Sequence, residues 1–431
     1  MNRLNTHYIS DPGSLRSLCQ RLRDSARIAL DTEFVGEESF VPRLELIQVA
    51  AGDLCAVIDF PAVGSLDGLS ELLHDARIEK VVHAGRQDLE LFYAYTGHVP
   101  TPIFDTQLAA AMVGYGTQLA YAQLVHRVLG TKLAKSHTLT NWSQRPLTPD
   151  QITYALEDVQ YLLPVYEHLC QRLQSLGRLD WVKEEFTRLE LKSSEGAQDL
   201  RHRYQRIRGW DNLNPRSAAV LRELAAWRED EARRRNVPRG RVIRDEVLLE
   251  LARRPPATVA ALRATRGLHP SEVDRNGEPL LARIRDGLVL PESEWPEIPR
   301  SRRPEPESAG LVDLLQAVLK ACAREQEIAP SLLASASDLQ TLVDAKQDRE
   351  KLDLPILHGW RRKLIMASSL PLPSISPVVM TVASAVCSWN QLLLFRRTHS
   401  PYPGKLTIAS SCPLPSRSPV AIAAAFAVCS W

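Results

Sequence analysis

Strand-like segments in this 431-residue sequence are confined to the part before about residue 110. Residues 27–60 contain three short apolar runs separated by turn signals, RIALDTEF, RLELIQVA and LCAVIDF, which predict three consecutive antiparallel strands. Two further short strands, in KVVHAG and PIFD, each run into a helical pattern, and the pattern stays helical afterwards. The sequence therefore predicts an α/β domain with a mixed sheet, followed by all-α segments.

Charge divides the chain into an acidic and a basic part. Residues 1–170 hold 13 Lys and Arg against 20 Asp and Glu, whereas residues 201–270 hold 17 against 8. This asymmetry points to a nucleic-acid partner. The seven cysteines include no C-x-x-C pair, which argues against a disulfide framework or a zinc site. The N-terminal residues lack the apolar core of a signal peptide, and a cytoplasmic location is the expectation.

Four acids and a tyrosine recur at positions that would bring them together. Asp31 and Glu33 end the first predicted strand and project to one side of it. Asp88 lies in the first turn of a helix, and Tyr154 and Asp158 lie one turn apart on a helix that starts with a capping box at Thr148. Taken singly, each acid reads as a helix cap or a solvated residue.

Together, the four carboxylates predict an oxygen-rich pocket of the kind that Mg²⁺ or Mn²⁺ prefers. Two such cations, about 3.5–4 Å apart, can hold the attacking and leaving oxygens of a phosphoryl displacement. We expect these two divalent cations to offset the repulsion between Asp31 and Glu33. Tyr154 would then place its phenol over the attacking water.

The order D-x-E, H-x-x-x-x-D-L and Y-x-x-x-D resembles the three exonuclease motifs of the tyrosine-bearing branch of the DEDD superfamily. Several local segments are similar in sequence to the ribonuclease D family. They are LDTEF, LELIQ, HAGRQDLELF, FDTQLAAAMVGYG, TNWSQRPLT and YALEDVQYLLPVY. The likeness extends through an HRDC-like helical block and, more weakly, to about residue 366. It implies a ribonuclease H-like mixed sheet flanked by helices, followed by two all-α HRDC-like domains.

The resemblance also implies an activity, a 3′→5′ exoribonuclease that releases nucleoside 5′-monophosphates. The expected partner is RNA with a free 3′ end, in particular tRNA precursors and other structured RNAs, with no membrane partner. By position, Asp31, Glu33, Asp88 and Asp158 match the metal-binding acids. Tyr154 matches the residue that positions, or helps deprotonate, the attacking water.

Further residues are predicted to contact RNA. Gln48, Lys135 and Trp142 lie in segments next to the motifs. The run EARRRNVPRGRV contributes five arginines, most of which are expected to lack enough nearby acids to pair with and therefore to contact phosphates: Arg233, Arg234, Arg235, Arg239 and Arg241. His83 is expected to be structural, and Asp105 to cap a helix.

The predicted domains follow these patterns. They are an exonuclease domain (1–172), a helical connector (173–207), an HRDC domain (208–291), a second HRDC-like domain (305–366) and a tail (367–431). In the tail, residues 367–389 recur as residues 409–431 with 16 of 23 positions identical. We interpret the tail as an appended sequence that adds nothing to the chemistry.

Two other functions fit parts of the pattern. A DNA 3′→5′ exonuclease of the same superfamily would carry the same acids, because discrimination depends on contacts to the 2′-hydroxyl. An inactive RNA-binding scaffold would be expected to lose some of the five motif residues, and all five are present. A helicase is disfavoured because the chain has no G-x-x-x-x-G-K-[ST] loop.

Overall fold

The computed structural model describes residues 5–36, 38–133, 140–198, 200–298, 306–344 and 354–367. The chain divides into two compact units, residues 1–303 and 304–431. The tail predicted from residue 367 and the predicted RNA contact Lys135 lie outside the described residues, apart from Ala367 itself.

A six-stranded mixed sheet forms the centre of the first unit. Its strands are β1 (Asn5–Ile9), β2 (Arg27–Val35), β3 (Arg43–Ala51), β4 (Leu54–Asp59), β5 (Glu79–Val82) and β6 (Ile103–Asp105). The order across the sheet is β1-β4-β3-β2-β5-β6. The antiparallel set β2-β3-β4 confirms the prediction for residues 27–60, and β5 and β6 add to it in parallel. The sequence reading missed β1, which pairs in parallel with β4.

Helices pack around this sheet and then continue alone. Those before residue 200 are α1 (Pro12–Leu22), α2 (Phe60–Val63), α3 (Leu69–His74), α4 (Arg86–Thr96), α5 (Thr106–Met112), α6 (Tyr121–Leu129), α7 (Pro149–Gln160), α8 (Leu162–Ser175) and α9 (Leu179–Gln198). The predicted capping box of α7 is confirmed, since Thr148 and Gln151 exchange both hydrogen bonds. This cap fixes where α7 begins, and therefore which of its residues face the sheet.

The two faces of the sheet carry different residues because side chains alternate along each strand. On one face, Ile28 and Leu30 of β2 join the main apolar core with residues of α1 and α3. On the other face, Leu46 and Val57 pack with Ala155 of α7 in a smaller apolar cluster. One face of the sheet is thus covered by the main apolar core, and the face under α7 is the one that holds polar groups.

The helical block after the sheet domain has its own apolar core. It begins with a 3₁₀ segment (Leu200–Arg206) and a 3₁₀ turn (Trp210–Asn212). Its helices are α10 (Pro215–Arg235), α11 (Arg239–Val242), α12 (Asp245–Arg253), α13 (Val259–Arg263) and α14 (Pro270–Val289), followed by a 3₁₀ turn (Glu292–Glu294). A Cβ atom added at Gly287 would lie 2.6 Å from the Cα of Val220, so α10 and α14 pack closely there.

The second unit is helical in the residues that are described. It contains α15 (Pro306–Glu325), α16 (Pro330–Leu333), α17 (Ala336–Asp344), a 3₁₀ turn (Pro355–Leu357) and α18 (Gly359–Ala367). Val312, Leu339 and Val343 form a small apolar cluster between α15 and α17. Among the helices of the described ranges, none is both long and apolar enough to span a membrane. The predicted fold class, a mixed α/β domain followed by helical domains, is confirmed.

Candidate active site

Strand β2 places two acids on the face of the sheet that α7 covers. Asp31 and Glu33 alternate with the core residues of β2, and Gln48 of β3 lies directly opposite Asp31. The register shifts between Glu33 and Phe34, so the regular pairing is interrupted directly after the second acid. Gln48 is fully buried, and neither polar atom of its amide has a hydrogen-bond partner in the structure.

The third acid reaches the site from the first turn of α4. Asp88 is buried and accepts a hydrogen bond from the hydroxyl of Thr32. The carboxylate of Asp105 accepts hydrogen bonds from the backbone N–H groups of Ala84 and Gly85, at 3.3 and 3.0 Å. The same carboxylate caps α5, as predicted. Asp105 therefore also holds the turn from which α4 begins, and this turn sets the position of Asp88.

Helix α7 supplies the remaining acid and the tyrosine. The phenol of Tyr154 donates a hydrogen bond to the carboxylate of Asp158, one helical turn further on. The Trp142 ring lies 6.1 Å from the Tyr154 ring, centroid to centroid, and belongs to the apolar cluster under α7. The five predicted motif residues are thus brought together at the inner strand β2 by β2 itself, α4 and α7.

Among the described residues, no cationic side chain is one of the main groups that shift the pKa values of the four acids. Burial, and then repulsion from Asp88, Asp158 and Glu33, raise the pKa of Asp31 well above its usual range. Burial and the neighbouring acids raise the pKa of Glu33 to about 8. Burial also raises the pKa of Asp158 to about 7 and that of Asp88 to about 6. The side-chain contacts that favour the charged forms are hydrogen bonds from Tyr154 and Thr32, which are neutral groups.

The side chains are not arranged around a single point. Within the described parts of the chain, no three acidic, histidine or cysteine side chains surround a position that could hold a metal ion. Thr32 and Tyr154 each engage one of the acids through a hydrogen bond.

Comparison with known proteins decides the family. Residues 6–174 match a family described as 3′–5′ exonuclease, and residues 217–284 match the HRDC domain. A ribonuclease D of Granulibacter bethesdensis is 40% identical over 375 residues, which cover 84% of this chain and 91% of the relative. The chain belongs to the ribonuclease D family. Another ribonuclease D, from Pseudomonas paraeruginosa, is 39% identical over 361 residues, covering 83% of this chain and 94% of the relative.

The fold leads to the same family. The crystal structure of Escherichia coli RNase D, described as an exoribonuclease involved in structured RNA processing, superposes with a TM-score of 0.75 at 31% identity. The match covers 85% of this chain and 97% of the other. The predicted enzyme class, a 3′→5′ exoribonuclease of the ribonuclease D family, is confirmed.

Two residues of this ribonuclease D that were predicted to contact RNA are buried instead. Trp142 is 6% exposed and packs beside Tyr154, and Gln48 is fully buried under the acids. Both side chains are thus buried in the structure, and RNA contact by either one stays a prediction. Trp142 supports the ring of Tyr154, and Gln48 adjoins Asp31.

The expectation that most of the predicted arginines lack acidic partners is wrong, because three of the five pair with acids. Arg239 pairs with Glu229 through two of its guanidinium nitrogens, Nε and Nη2, each 2.5 Å from a carboxylate oxygen, because α11 folds back against α10. Arg235 pairs with Glu231 and Glu272, and Arg234 pairs with Glu231. Arg233 and Arg241 are exposed. RNA contact by any of the five stays a prediction.

Sequence reasoning missed one residue at the site. Tyr121, the first residue of α6, donates a hydrogen bond from its phenol to the backbone carbonyl of Glu157 at 3.1 Å. Burial, Asp158 and Asp31 raise its pKa well above the usual range, so it lies close to the acids. It falls between the motifs, in a segment with no acid that would mark it as part of the site. His83 is structural as predicted, because its two ring nitrogens contact Thr106 and the carbonyl of Leu119.

Proposed function

We propose that this chain shortens RNA from a free 3′ end by hydrolysis dependent on two divalent cations, Mg²⁺ or Mn²⁺, releasing nucleoside 5′-monophosphates. The observation that carries the proposal is a group of four carboxyl groups, one buried and three half-buried, whose pKa values are raised and which have no cationic side chain among the described residues to balance them. Ionised carboxylates that lie together without compensation are unfavourable, and a bound cation would supply the missing positive charge and let them ionise near neutral pH.

The four carboxyl groups are chemically suited to such cations, since carboxylate oxygens are the ligands that Mg²⁺ and Mn²⁺ prefer. Asp31, Glu33, Asp88 and Asp158 would hold them. Bound there, the cations would offset charge on the phosphate and lower the pKa of water. The fully buried amide of Gln48, with no partner of its own, adds an unpaired donor next to Asp31.

Protein side chains perform the remaining tasks. Tyr154 presents a phenol whose pKa is raised, first by burial and then by Asp158, Glu33 and Asp31, so it keeps its proton near neutral pH. It would therefore orient the attacking water by hydrogen bonding, which favours the positioning role over deprotonation. Trp142 limits the movement of the Tyr154 ring through packing.

The proposed substrates are tRNA precursors and other structured RNAs. The support is the likeness to Escherichia coli RNase D, an exoribonuclease involved in structured RNA processing. A cytoplasmic site of action, whose reducing conditions fit the scattered cysteines, is part of the same proposal.

The test is a time course with one single-stranded RNA labelled at its 5′ end or at its 3′ end. Mg²⁺, Mn²⁺ and EDTA are compared, and DNA of the same sequence is run alongside. The expected result is stepwise shortening from the 3′ end with either metal and none with EDTA. Asp31→Asn should abolish it, whereas Asp230→Asn, which changes an exposed acid of the helical block, should not.

Three results would contradict the proposal. Undiminished cleavage in EDTA would exclude the cation requirement. Faster shortening of DNA than of RNA would favour the DNA exonuclease of the same superfamily. An intact RNA under both metals would leave the inactive scaffold as the better reading.

A further inference from the structure

A cavity of about 540 Å³ lies where the connector meets the helical block, and five of its lining residues are arginines. Two come from the 3₁₀ segment before α10, one from α10 itself, and two from the segment that forms α11 and leads to α12: Arg203, Arg206, Arg228, Arg239 and Arg244. Three acids also line it, Glu229, Asp245 and Glu246. The walls therefore carry a net charge of about +2.

The arginines of the cavity differ in how far they are already neutralised. Buried Glu229 is shared between Arg239, at 2.5 Å, and Arg203, at 3.5 Å. Asp245 forms an ion pair with Arg228, with 2.6 Å between the carboxylate oxygen and the guanidinium nitrogen. Arg206 and Arg244 are exposed, and neither pairs with an acid in the described part of the chain. These two guanidinium groups are available to a ligand.

The crowding of the guanidinium groups is unfavourable without an anion. Arg203 is half-buried, and its pKa is lowered by burial and by the nearby charges of Arg206 and Arg239, although Glu229 acts in the opposite direction. A further negative group would relieve this repulsion. Guanidinium groups match the oxygens of a phosphate in geometry as well as in charge.

The cavity suits a phosphate better than a base. The apolar side chains that line it are those of Ile207 and Ala225, and its lining includes no aromatic ring on which a base could stack. Contacts from arginine to the phosphate backbone carry affinity without reading sequence. The chemistry is that of a polyanion site without base selectivity.

The cavity also borders the two segments that carry the acids. The guanidinium of Arg239 lies over the ring of Phe40, 4.5 Å from its centroid, and Phe40 belongs to the connection that follows Glu33. The charge of nearby Glu90 acts to raise the pKa of Arg203, and Glu90 lies two residues after Asp88 on α4. An RNA strand with its 3′ end at the acids would thus have arginine side chains close to both of these segments, the connection after Glu33 and helix α4.

We propose that this cavity is a subsite for backbone phosphates of the RNA strand whose 3′ end occupies the acidic site. The inference rests on the proposed function, which supplies the RNA and the position of its 3′ end. The subsite adds affinity and holds the strand, while the chemistry stays with the acids. Arg206 and Arg244 supply the free charges, and Arg203 and Arg239 form the wall between them and the catalytic segments.

The test removes Arg206 and Arg244 from the full-length protein. Arg206→Ala/Arg244→Ala is compared with Arg253→Ala/Arg266→Ala, which removes two other exposed, unpaired arginines of the helical block with the same change in charge. Binding of a long single-stranded RNA is measured in an Asp31→Asn background, so that RNA is not consumed. A third variant, Arg206→Lys/Arg244→Lys, keeps the charge and should retain most of the affinity.

The expected result is an RNA Kd raised about tenfold in the alanine variant, with a slope of log K against log salt shallower by about 1.4, the value for two phosphate contacts on a single strand. The control variant should stay within about twofold of the parent, since its arginines lie outside the cavity. Single-stranded DNA should lose affinity to the same extent, because the subsite contacts phosphate and not the sugar.

Other outcomes separate the subsite from the proposed function. Equal RNA binding by the alanine variant and its control would overturn the subsite, whatever the nuclease assay shows. A loss of 5′-AMP or inorganic phosphate binding without loss of RNA binding would also overturn it, in favour of a site for small phosphates. If the wild-type chain bound RNA through these arginines but did not shorten it, the proposed function would fail and the subsite would stand.

Discussion

At the level of single residues, the acidic site contains polar groups whose burial is not balanced by contacts in the protein. Asp31 lies opposite Gln48 in the sheet, and the amide of Gln48 has no partner although it is fully buried. An unpaired buried amide destabilises a fold by about 1–3 kcal/mol. The presence of this amide despite its unfavourable free energy suggests a role in function, here the positioning of Asp31.

Gln48→Leu should separate stability from activity. Leucine has a similar volume and no polar atoms, so the free energy of unfolding should rise by about 1–3 kcal/mol in urea denaturation. Removal of a group that adjoins Asp31 should lower kcat by about 10–100-fold. Gln174→Leu, the same change at an exposed position of α8, is the control and should alter neither. A variant that is less stable than the wild type, or fully active, would contradict this role.

The five motif residues could be predicted because each lies at a position that local pattern defines, such as a strand end or a capped helix. The partners of the arginines could not be predicted in this way. Arg235 pairs with Glu272, 37 residues away, and only the packing of α10 against α14 brings them together. The burial of Trp142 was missed for the same reason, because a tryptophan before a helix is equally compatible with a surface contact.

At the level of elements, α7 is well specified by its own sequence. Its capping box, its first-position proline and its apolar face all point to the same start, and the structure has that start. β1 is the opposite case. Four of its five residues are exposed, so it shows no alternation of apolar and polar residues, and its pairing with β4 is decided by the rest of the sheet.

Thr148→Ala should weaken both the start of α7 and catalysis. Loss of the cap should lower the free energy of unfolding by about 1 kcal/mol, measured by urea denaturation. Because Tyr154 and Asp158 lie in the following turns, kcat should fall while the RNA Kd changes little. Thr153→Ala, which removes an exposed threonine hydroxyl from the interior of the same helix, serves as the control. Unchanged stability in Thr148→Ala would show that the cap is dispensable.

The edge of the sheet next to β6 should respond to pH through one buried lysine. Lys80 of β5 is fully buried, and its ammonium donates hydrogen bonds to the backbone carbonyls of Asp75, Ile78 and Thr101. Burial lowers its pKa from 10.5 to about 8. Between these two values the unfolded chain binds the proton and the folded chain does not, so this group stabilises the fold increasingly as pH rises through that range.

Comparison of wild type with Lys80→Met should reveal this dependence. The variant leaves three buried carbonyls without their donor and should be less stable at every pH. The difference in unfolding free energy should widen between about pH 8 and pH 10.5, because the variant lacks the titrating group. Lys132→Met, a change at an exposed lysine, should show no such trend. A difference that stays constant across this interval would contradict the lowered pKa.

At the level of the whole first unit, the acidic sheet domain and the basic helical block meet at Phe40. Its half-buried ring packs against the apolar core of the block, beneath Arg239 and Arg233, with cation-to-centroid distances of 4.5 and 5.5 Å. The order of the two parts and their opposite charges could be predicted from the sequence. It could not give this contact, because a phenylalanine in a polar loop carries no signal of what covers it.

Phe40→Ala should loosen the block from the sheet domain. Two cation–π contacts contribute about 0.5–1 kcal/mol each, in addition to the apolar contact that is lost. Hydrogen exchange in the connector of residues 173–207 should accelerate, and the RNA Kd should rise. Leu129→Ala, which truncates a partly exposed apolar side chain on α6, is the control. Unaltered exchange in the connector would show that other contacts hold the two parts together.

The order of the parts along the chain has a consequence during synthesis. All five motif residues precede residue 160, whereas the arginines of the cavity begin at residue 203. Domains fold from the N-terminus as they leave the ribosome, so the catalytic part is completed first. At that stage it carries more acidic than basic residues and emerges next to ribosomal RNA. Its own charge would keep it away from that RNA until the basic block has followed.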